Sequence, residues 1–392
     1  MPVGPVDDND TVLYYEDGGP PEGSLDYVTL ILVHGTQFHS AVFRKIFPFA
    51  HSRNLRLVLV NCRDYPGSTR YSSKELEGFS SSQKAVQAET LRARGIEFAA
   101  FIRWFIEIHH VPPISEQPGS NSPSGGISLL GWSSGNLQTI PLLAYATDLP
   151  EDTTNLLERY FRHFTIYDIS DTAAGLEGLY YTPVRDHSLS AEQRAVIFPI
   201  WVSSYFKQTA TTPDADVETP GFQETLLARE ALHESDPNPR WVPTVVRMGP
   251  EGVSAVTDAS VMQRSQVQIQ QVDPSVYENN LRRALFECRA NDGHKGKRVV
   301  WPKLRINIVW CDMSPSSCVY ATHHIKRMAK VYKEQGMGRA VQFHRMQQAN
   351  HFVSIFNKIL VTISSSGNRY IGMSPRGSLI SFPRFFEYIH MC

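Results

Sequence analysis

Gly131-Trp132-Ser133-Ser134-Gly135 sets a serine between two glycines, and it lies directly between an apolar run, Ile127 to Trp132, and a helical pattern that begins near Ser134. The local chemistry this suggests is nucleophilic. A sharp strand-to-helix turn lifts a serine hydroxyl above the edge of a sheet, and small residues two before and two after it let the backbone turn. The N–H groups at the start of the following helix face developing negative charge. Such a serine needs a base within hydrogen-bond reach. Of the 14 histidines, His351 is the one that stands just beyond a final strand near the C-terminal side, after VQFHRM and Gln-Gln-Ala-Asn. His344 lies inside that strand and reads as structural; His109-His110 and His323-His324 fall on helical patterns and read as solvated or capping. An oxyanion formed at Ser133 would need two backbone donors. One is the N–H of Ser134; the other comes from the loop after an early strand, where His34-Gly35-Thr36-Gln37 points to Thr36. Two aspartates compete to orient His351: Asp168, ending TIYD, and Asp312, after NIVWC, with Asp171 as an outside candidate. Either order, serine then acid then histidine, is workable.

These residues must be held by strands. Val28 to His34 and Leu55 to Val60 are continuous apolar runs, as expected for strands buried on both faces of a parallel sheet. A helical pattern runs from about Gln83 to His110, with Leu91, Phe98, Phe101, Ile102, Phe105 and Ile108 recurring at helical spacing. A Pro/Ser/Gly-rich loop covers residues 112 to 126; strands follow at Ile127–Trp132 and Phe164–Asp168. Alternation then stops and resumes with a strand at Leu304–Trp310, a helix from about Pro315 to Glu334, a strand at Val341–Met346 and a helix beginning near His351. The expectation is an α/β fold: a mostly parallel central sheet flanked by helices, with a lid inserted between the strand ending at Asp168 and the strand ending at Trp310. The organisation is core over 11–171, lid over 172–300, core again over 301–365, and a tail, 366–392, without a reading.

Bulk composition bounds the partners. The chain has 392 residues, 42% hydrophobic and 20% charged, with 38 basic against 39 acidic residues. These are globular values, and no basic stripe suited to nucleic acid stands out. No stretch approaches a membrane span, and the N-terminus lacks the pattern of a signal peptide, so the default expectation is cytoplasmic. The five cysteines, Cys62, Cys288, Cys311, Cys318 and Cys392, show no CxxC pair. Their spacing therefore predicts neither a zinc motif nor a redox dithiol, and no metal or cofactor is expected. Oligomeric state is not encoded in any feature we recognise.

On His34-Gly35, the loop Asn61-Cys62-Arg63-Asp64-Tyr65-Pro66-Gly67-Ser68, the motif Gly131 to Gly135, and Asn350-His351-Phe352, the chain resembles the α/β-hydrolase family, and within it a group of fungal proteins. The likeness covers about residues 11 to 365 and is weakest across the insertion. It implies a serine hydrolase acting on a carboxylic ester or lactone of a small, apolar molecule, with Ser133, His351 and an acid as triad and no cofactor. The family commonly places the acid after the later strand, three residues past a glycine. Here Cys311 holds the glycine's place and Ser314 stands three residues on, with Asp312 two positions early. That departure favours Asp168, as do lactonases of the zearalenone type and some dehalogenases of this fold, which place the acid there. Family members that cleave epoxides or carbon–halogen bonds use an aspartate where this chain has Ser133. Two other readings use the same residues: a ligand-binding protein that has lost catalysis, and an acyltransferase.

Overall fold

The computed structural model describes residues 2–116, 123–176, 178–207, 220–291 and 297–352. Eight strands build the main sheet: β1 (Val3–Pro5), β2 (Val12–Asp17), β3 (Val28–Val33), β4 (Leu55–Val60), β5 (Ile127–Trp132), β6 (Phe161–Tyr167), β7 (Arg305–Cys311) and β8 (Val341–Met346). Their spatial order is β1-β2-β4-β3-β5-β6-β7-β8. The strands β3 to β8 are parallel, and β2 runs antiparallel to both β1 and β4. The two N-terminal strands were not expected from sequence. They are short, and β2 alternates half-buried and buried residues, as an antiparallel strand with one face toward the core does.

The central runs are apolar throughout because each serves two cores. In β3, Ile31 and Val33 face one layer while Leu30 and Leu32 face the other. In β4, Val58 and Val60 alternate with Leu57 and Leu59 in the same way. The first layer is covered by the helices α1 (Lys84–His109), α2 (Gly135–Ala144) and α3 (Glu151–Tyr160). The second carries the candidate chemistry. Its strand residues, Leu130, Trp132, Tyr167, Val309 and Cys311, pack against Val184, Phe198, Val202, Val245 and Met262 from the inserted segment.

Within the insertion, α4 (Ala191–Val202) and α5 (Thr244–Ser254) lie on the cavity side. The helix α6 (Pro274–Leu285) does something different: it packs on α2, and its Val276, Tyr277 and Leu281 join the first core. Thus only part of residues 172–300 lies over the strand ends. The helix α7 (Ser316–Glu334) follows β7. Among the described residues, no helix is long and apolar enough to cross a membrane. The helix expected from near His351 lies beyond the described residues after Phe352.

Where α1 crosses α2, Gly95 allows backbone contact. A Cβ there would stand 2.4 Å from the Pro141 carbonyl carbon and 2.6 Å from the Leu142 nitrogen. Backbone atoms cannot move aside like a flexible side chain. Gly95→Ala is therefore expected to lower unfolding free energy by about 1–3 kcal/mol through overpacking, although alanine is the better helix former by about 0.5–1 kcal/mol. Urea unfolding of both proteins checks this; an unchanged or higher midpoint would show that the crossing is not tight.

Candidate active site

Ser133 sits at the end of β5 with φ +55°, a left-handed conformation that costs a non-glycine residue about 1–2 kcal/mol. Its surroundings hold it there. The Ser133 N–H donates to Tyr167 O at 3.0 Å, and Asn136 donates to Ser133 O through both its backbone N–H and its side-chain amide. The flanking glycines are required by close approach. A Cβ on Gly131 would lie 2.4 Å from Thr139 Oγ1, and one on Gly135 would lie 2.5 Å from His34 O. Position 135 is thus where the helix α2 abuts the strand end of β3.

That strand end carries the loop from His34 to Gln37, expected to supply an oxyanion donor. The Cys62 N–H donates to His34 Nε2 at 3.0 Å, so the ring proton resides on Nδ1, which donates to Gly35 O at 3.0 Å. Burial pushes the His34 imidazolium down to about 3, so the ring stays neutral at ordinary pH. The carbonyl of a trans peptide and the next N–H point in opposite directions. Pinning Gly35 O on His34 therefore turns the Thr36 N–H the other way, toward the cavity that Thr36, Ser133 and Ser134 line together. Among the described residues, neither the Thr36 nor the Ser134 backbone N–H is used in a hydrogen bond. The two side chains also meet: Thr36 Oγ1 donates to Ser134 Oγ at 2.7 Å, and Gln270 of the insertion donates to Thr36 Oγ1 at 3.0 Å.

The structure brings His351 to Asp168 and not to Asp312. His351 Nδ1 donates to Asp168 Oδ2 at 2.6 Å, both groups being almost fully buried. The same carboxylate accepts the Cys311 N–H at 2.9 Å on Oδ1 and the Ser314 hydroxyl on Oδ2. Asp312 is turned away: its Oδ2 accepts two hydrogen bonds from Arg345, at 3.0 and 3.2 Å, and its carbonyl accepts from Arg229. Asp171 is paired with Arg185 at 2.8 Å. Because a carboxylate only accepts, the His351 proton lies on Nδ1, and Nε2 keeps its lone pair. His351 and Ser133 line one cavity without a hydrogen bond between them; such bonds commonly close only once substrate is bound.

The loop that bears His351 is clamped from both neighbours. Trp132 Nε1, one residue before Ser133, donates to His351 O at 3.1 Å. Phe352 packs edge-on against Phe38 and Trp132. Asn350 donates to Ser203 O at 2.5 Å and to Thr244 Oγ1 at 3.0 Å, both in the insertion. Other histidines fall out as structural. His344 meets Asn307 Oδ1 at 3.1 Å within the sheet, and Tyr15 OH meets His109 Nε2 at 3.0 Å. His323, expected at a solvated position, is buried against Phe222 and Trp310. Asn61 shapes its loop: it accepts the Ser40 N–H and donates to Pro66 O.

The cavity is about 40 Å³, a few times the ~10–15 Å³ that one water needs. Val184, Phe198, Trp201 and Val202 give it an apolar wall from the insertion; Ser170, Asp171, Thr172 and Gln270 give it a polar one. The remaining aromatics of the insertion serve packing: Tyr180 and Phe222 form a separate cluster with Trp310 and Tyr320. Gln270 and Cys318, on the cavity wall, and Ser314, on the Asp168 carboxylate, were not read as functional from sequence. Only Ser314 had a signal, as the residue in the acid's usual place.

Strand order, the single antiparallel strand β2 within the sheet's long run, and the serine at the turn after β5 define the α/β-hydrolase fold. No family model matches the chain, and neither does any curated protein. Among solved structures it is similar to an esterase from Exiguobacterium antarcticum (13% identity, 94% of this chain and 99% of that chain, TM-score 0.47). It is also similar to a bromoperoxidase from Bacillus anthracis (10%, 93% and 97%, 0.41) and an enol-lactonase from Burkholderia xenovorans (11%, 93% and 97%, 0.38).

His34 shares its depressed basicity with His163, buried beside Ser128 and also lowered to about 3, mainly by burial. In the unfolded chain both would take up protons near pH 6.5. Their contribution to stability is therefore full above about pH 6.5 and is lost as pH falls toward 3, with a slope of about 1.4 kcal/mol per pH unit for each group. Unfolding free energy is expected to fall between pH 7 and 5, and His163→Gln is expected to reduce that slope by about 1.4 kcal/mol per pH unit. A slope identical in the variant would show that His163 is not the titrating group.

Proposed function

We propose that the chain is a serine hydrolase that cleaves a carboxylic ester or lactone of a small molecule through an acyl-enzyme on Ser133. The observation that carries this reading is the shared cavity: a serine held at positive φ on a strand–helix turn faces a buried histidine whose far nitrogen is bonded to a buried carboxylate. In the reaction, Ser133 Oγ attacks the substrate carbonyl while His351 Nε2 takes its proton. Asp168 fixes the Nδ1–H tautomer and stabilises the imidazolium that forms. The tetrahedral oxygen accepts from the N–H groups of Thr36 and Ser134, each such donor contributing about 3 kcal/mol in the transition state. The leaving alcohol receives the proton from His351; water, deprotonated by the same nitrogen, then releases the acid and restores Ser133.

The cavity wall refines the substrate. Phe198, Trp201 and Val202 favour an apolar group beside the scissile bond, and the Ser170–Thr172 side favours a polar one. A substrate larger than a short acyl or alcohol fragment requires the insertion to move outward.

Intact-mass labelling with a fluorophosphonate tests the reading. A single adduct is expected on the wild-type chain and none on Ser133→Ala. Asp168→Asn is expected to slow labelling by about a thousandfold or more, since the wrong histidine tautomer results. Asp312→Asn should slow it by less than tenfold. No adduct on folded wild type, with a small probe as well as a large one, would sink the proposal; equal loss in both aspartate variants would remove Asp168 from its role.

A further inference from the structure

The proposed mechanism leaves Cys318 unused. Of the four described thiols, Cys62, Cys288, Cys311 and Cys318, it is the one on the wall of the cavity above Ser133. It lies in the first turn of α7, and its Sγ is 3.9 Å from His351 Nδ1. With Asp168 it completes a cluster of one sulfur, one nitrogen and one oxygen, all within 4.8 Å of one another. No sequence spacing signals this set, because its members come from the ends of β6 and β8 and from the start of α7.

The distances suit a tetrahedral cation of the zinc type. Bonds of ~2.3 Å to sulfur and ~2.0–2.2 Å to nitrogen and oxygen place the ligand atoms about 3.6 Å (S···N) and about 3.4 Å (N···O) apart. From the observed 3.9 and 2.6 Å, the sulfur and nitrogen must close by about 0.3 Å and the nitrogen and oxygen must open by about 0.8 Å, shifts within reach of small side-chain rotations. A thiolate and a carboxylate offset the two positive charges, so no unpaired charge is buried. The Cys311 N–H and the Ser314 hydroxyl already orient the carboxylate from behind, as outer partners of a metal ligand do. Two of the three ligands, Cys318 and His351, line the cavity that Ser133 lines.

We propose that Asp168, Cys318 and His351 form a binding site for a thiophilic divalent cation, and that the cation switches off the base; the second clause rests on the reading of His351 given above. The Cys318 thiol releases its proton to solvent and the thiolate binds the metal. Neutral His351 gives its Nδ1 lone pair to the metal as its proton passes through solvent to Nε2. Asp168 exchanges its hydrogen bond from His351 for a bond to the metal. One proton leaves per cation, and no electrons are transferred. With Nε2 now protonated, His351 cannot accept the Ser133 proton, although Ser133 itself is untouched. Burial, with Asp168 and Asp171 nearby, pushes the free thiol well above its ordinary range. The cation must therefore draw the proton off, which sets a threshold on the metal concentration that acts.

Cadmium titration of the full-length Ser133→Ala chain tests binding apart from activity. The expected result is a thiolate-to-cadmium absorption that saturates at one equivalent and is absent when Cys318→Ala is added. Affinity should fall at least tenfold in the His351→Ala background, and calorimetry in two buffers of different ionisation heat should give one proton released. On the wild-type chain, zinc should block fluorophosphonate labelling reversibly by chelator. An absorption retained after Cys318→Ala, unchanged affinity after His351→Ala, or no absorption at tenfold excess over folded protein would each overturn the site. If the wild-type chain never labels, the hydrolase reading fails, and the cadmium titration still decides the metal site.

Discussion

The Ser133 turn depends on backbone contact between two strand ends. Gly135 lies so close to the carbonyls of Val33 and His34 that nothing larger than hydrogen fits. The same His34 holds the Gly35 carbonyl and so aims the Thr36 N–H. The proposed nucleophile and the proposed oxyanion donors are thus two sides of one junction between β3 and β5. Its rigidity comes from neutral groups: an uncharged imidazole, amides and glycines, with no ion pair at its centre. Electrostatic preorganisation of this kind needs no rearrangement when charge develops.

The carboxylate proposed as the acid is held across a second junction. Asp168 ends β6, while the two groups that hold its oxygens besides His351, Cys311 N–H and Ser314 Oγ, come from the end of β7. Carboxylate and supporting hydroxyl occupy the two strand ends in the reverse of the commoner family arrangement. A buried carboxylate accepting three hydrogen bonds is satisfied as an anion without a neighbouring cation. Asp312 cannot replace it, because Arg345 already engages its side chain.

Much of this was legible in sequence. The strands β3, β4, β5 and β7 announce themselves as apolar runs because both of their faces are buried, and the helices α1 and α7 by their periodicity. The serine motif is recognisable because its chemistry constrains neighbours at fixed spacing. The short strands β1 and β2 carry no continuous apolar run, since only alternate residues are buried. The choice between Asp168 and Asp312 was open because both end parallel strands; what separates them is the reach of Arg345, a contact across the sheet. The beginning of β6 was placed too late because Arg162 and His163 break its apolar run. Both are buried, and Arg162 Nη1 donates to Gly125 O. Cys318 was invisible in kind, since a lone cysteine in a helical pattern carries no spacing signal.

Asn350 adds a consequence for how such a protein can change over evolutionary time. It joins the residue beside His351 to Ser203 and Thr244 of the insertion. Phe38 and Thr257 meet in a strand-like bridge on the opposite rim, so the inserted segment is stitched to the core on two sides. A lid attached only at its ends could be traded for another as a module, leaving the chemistry beneath it intact. Here the histidine loop is built partly from the lid's own backbone. Recombining this core with a foreign lid would remove the acceptors that Asn350 uses, and selection for a new substrate must instead proceed by substitution within the lid it already has.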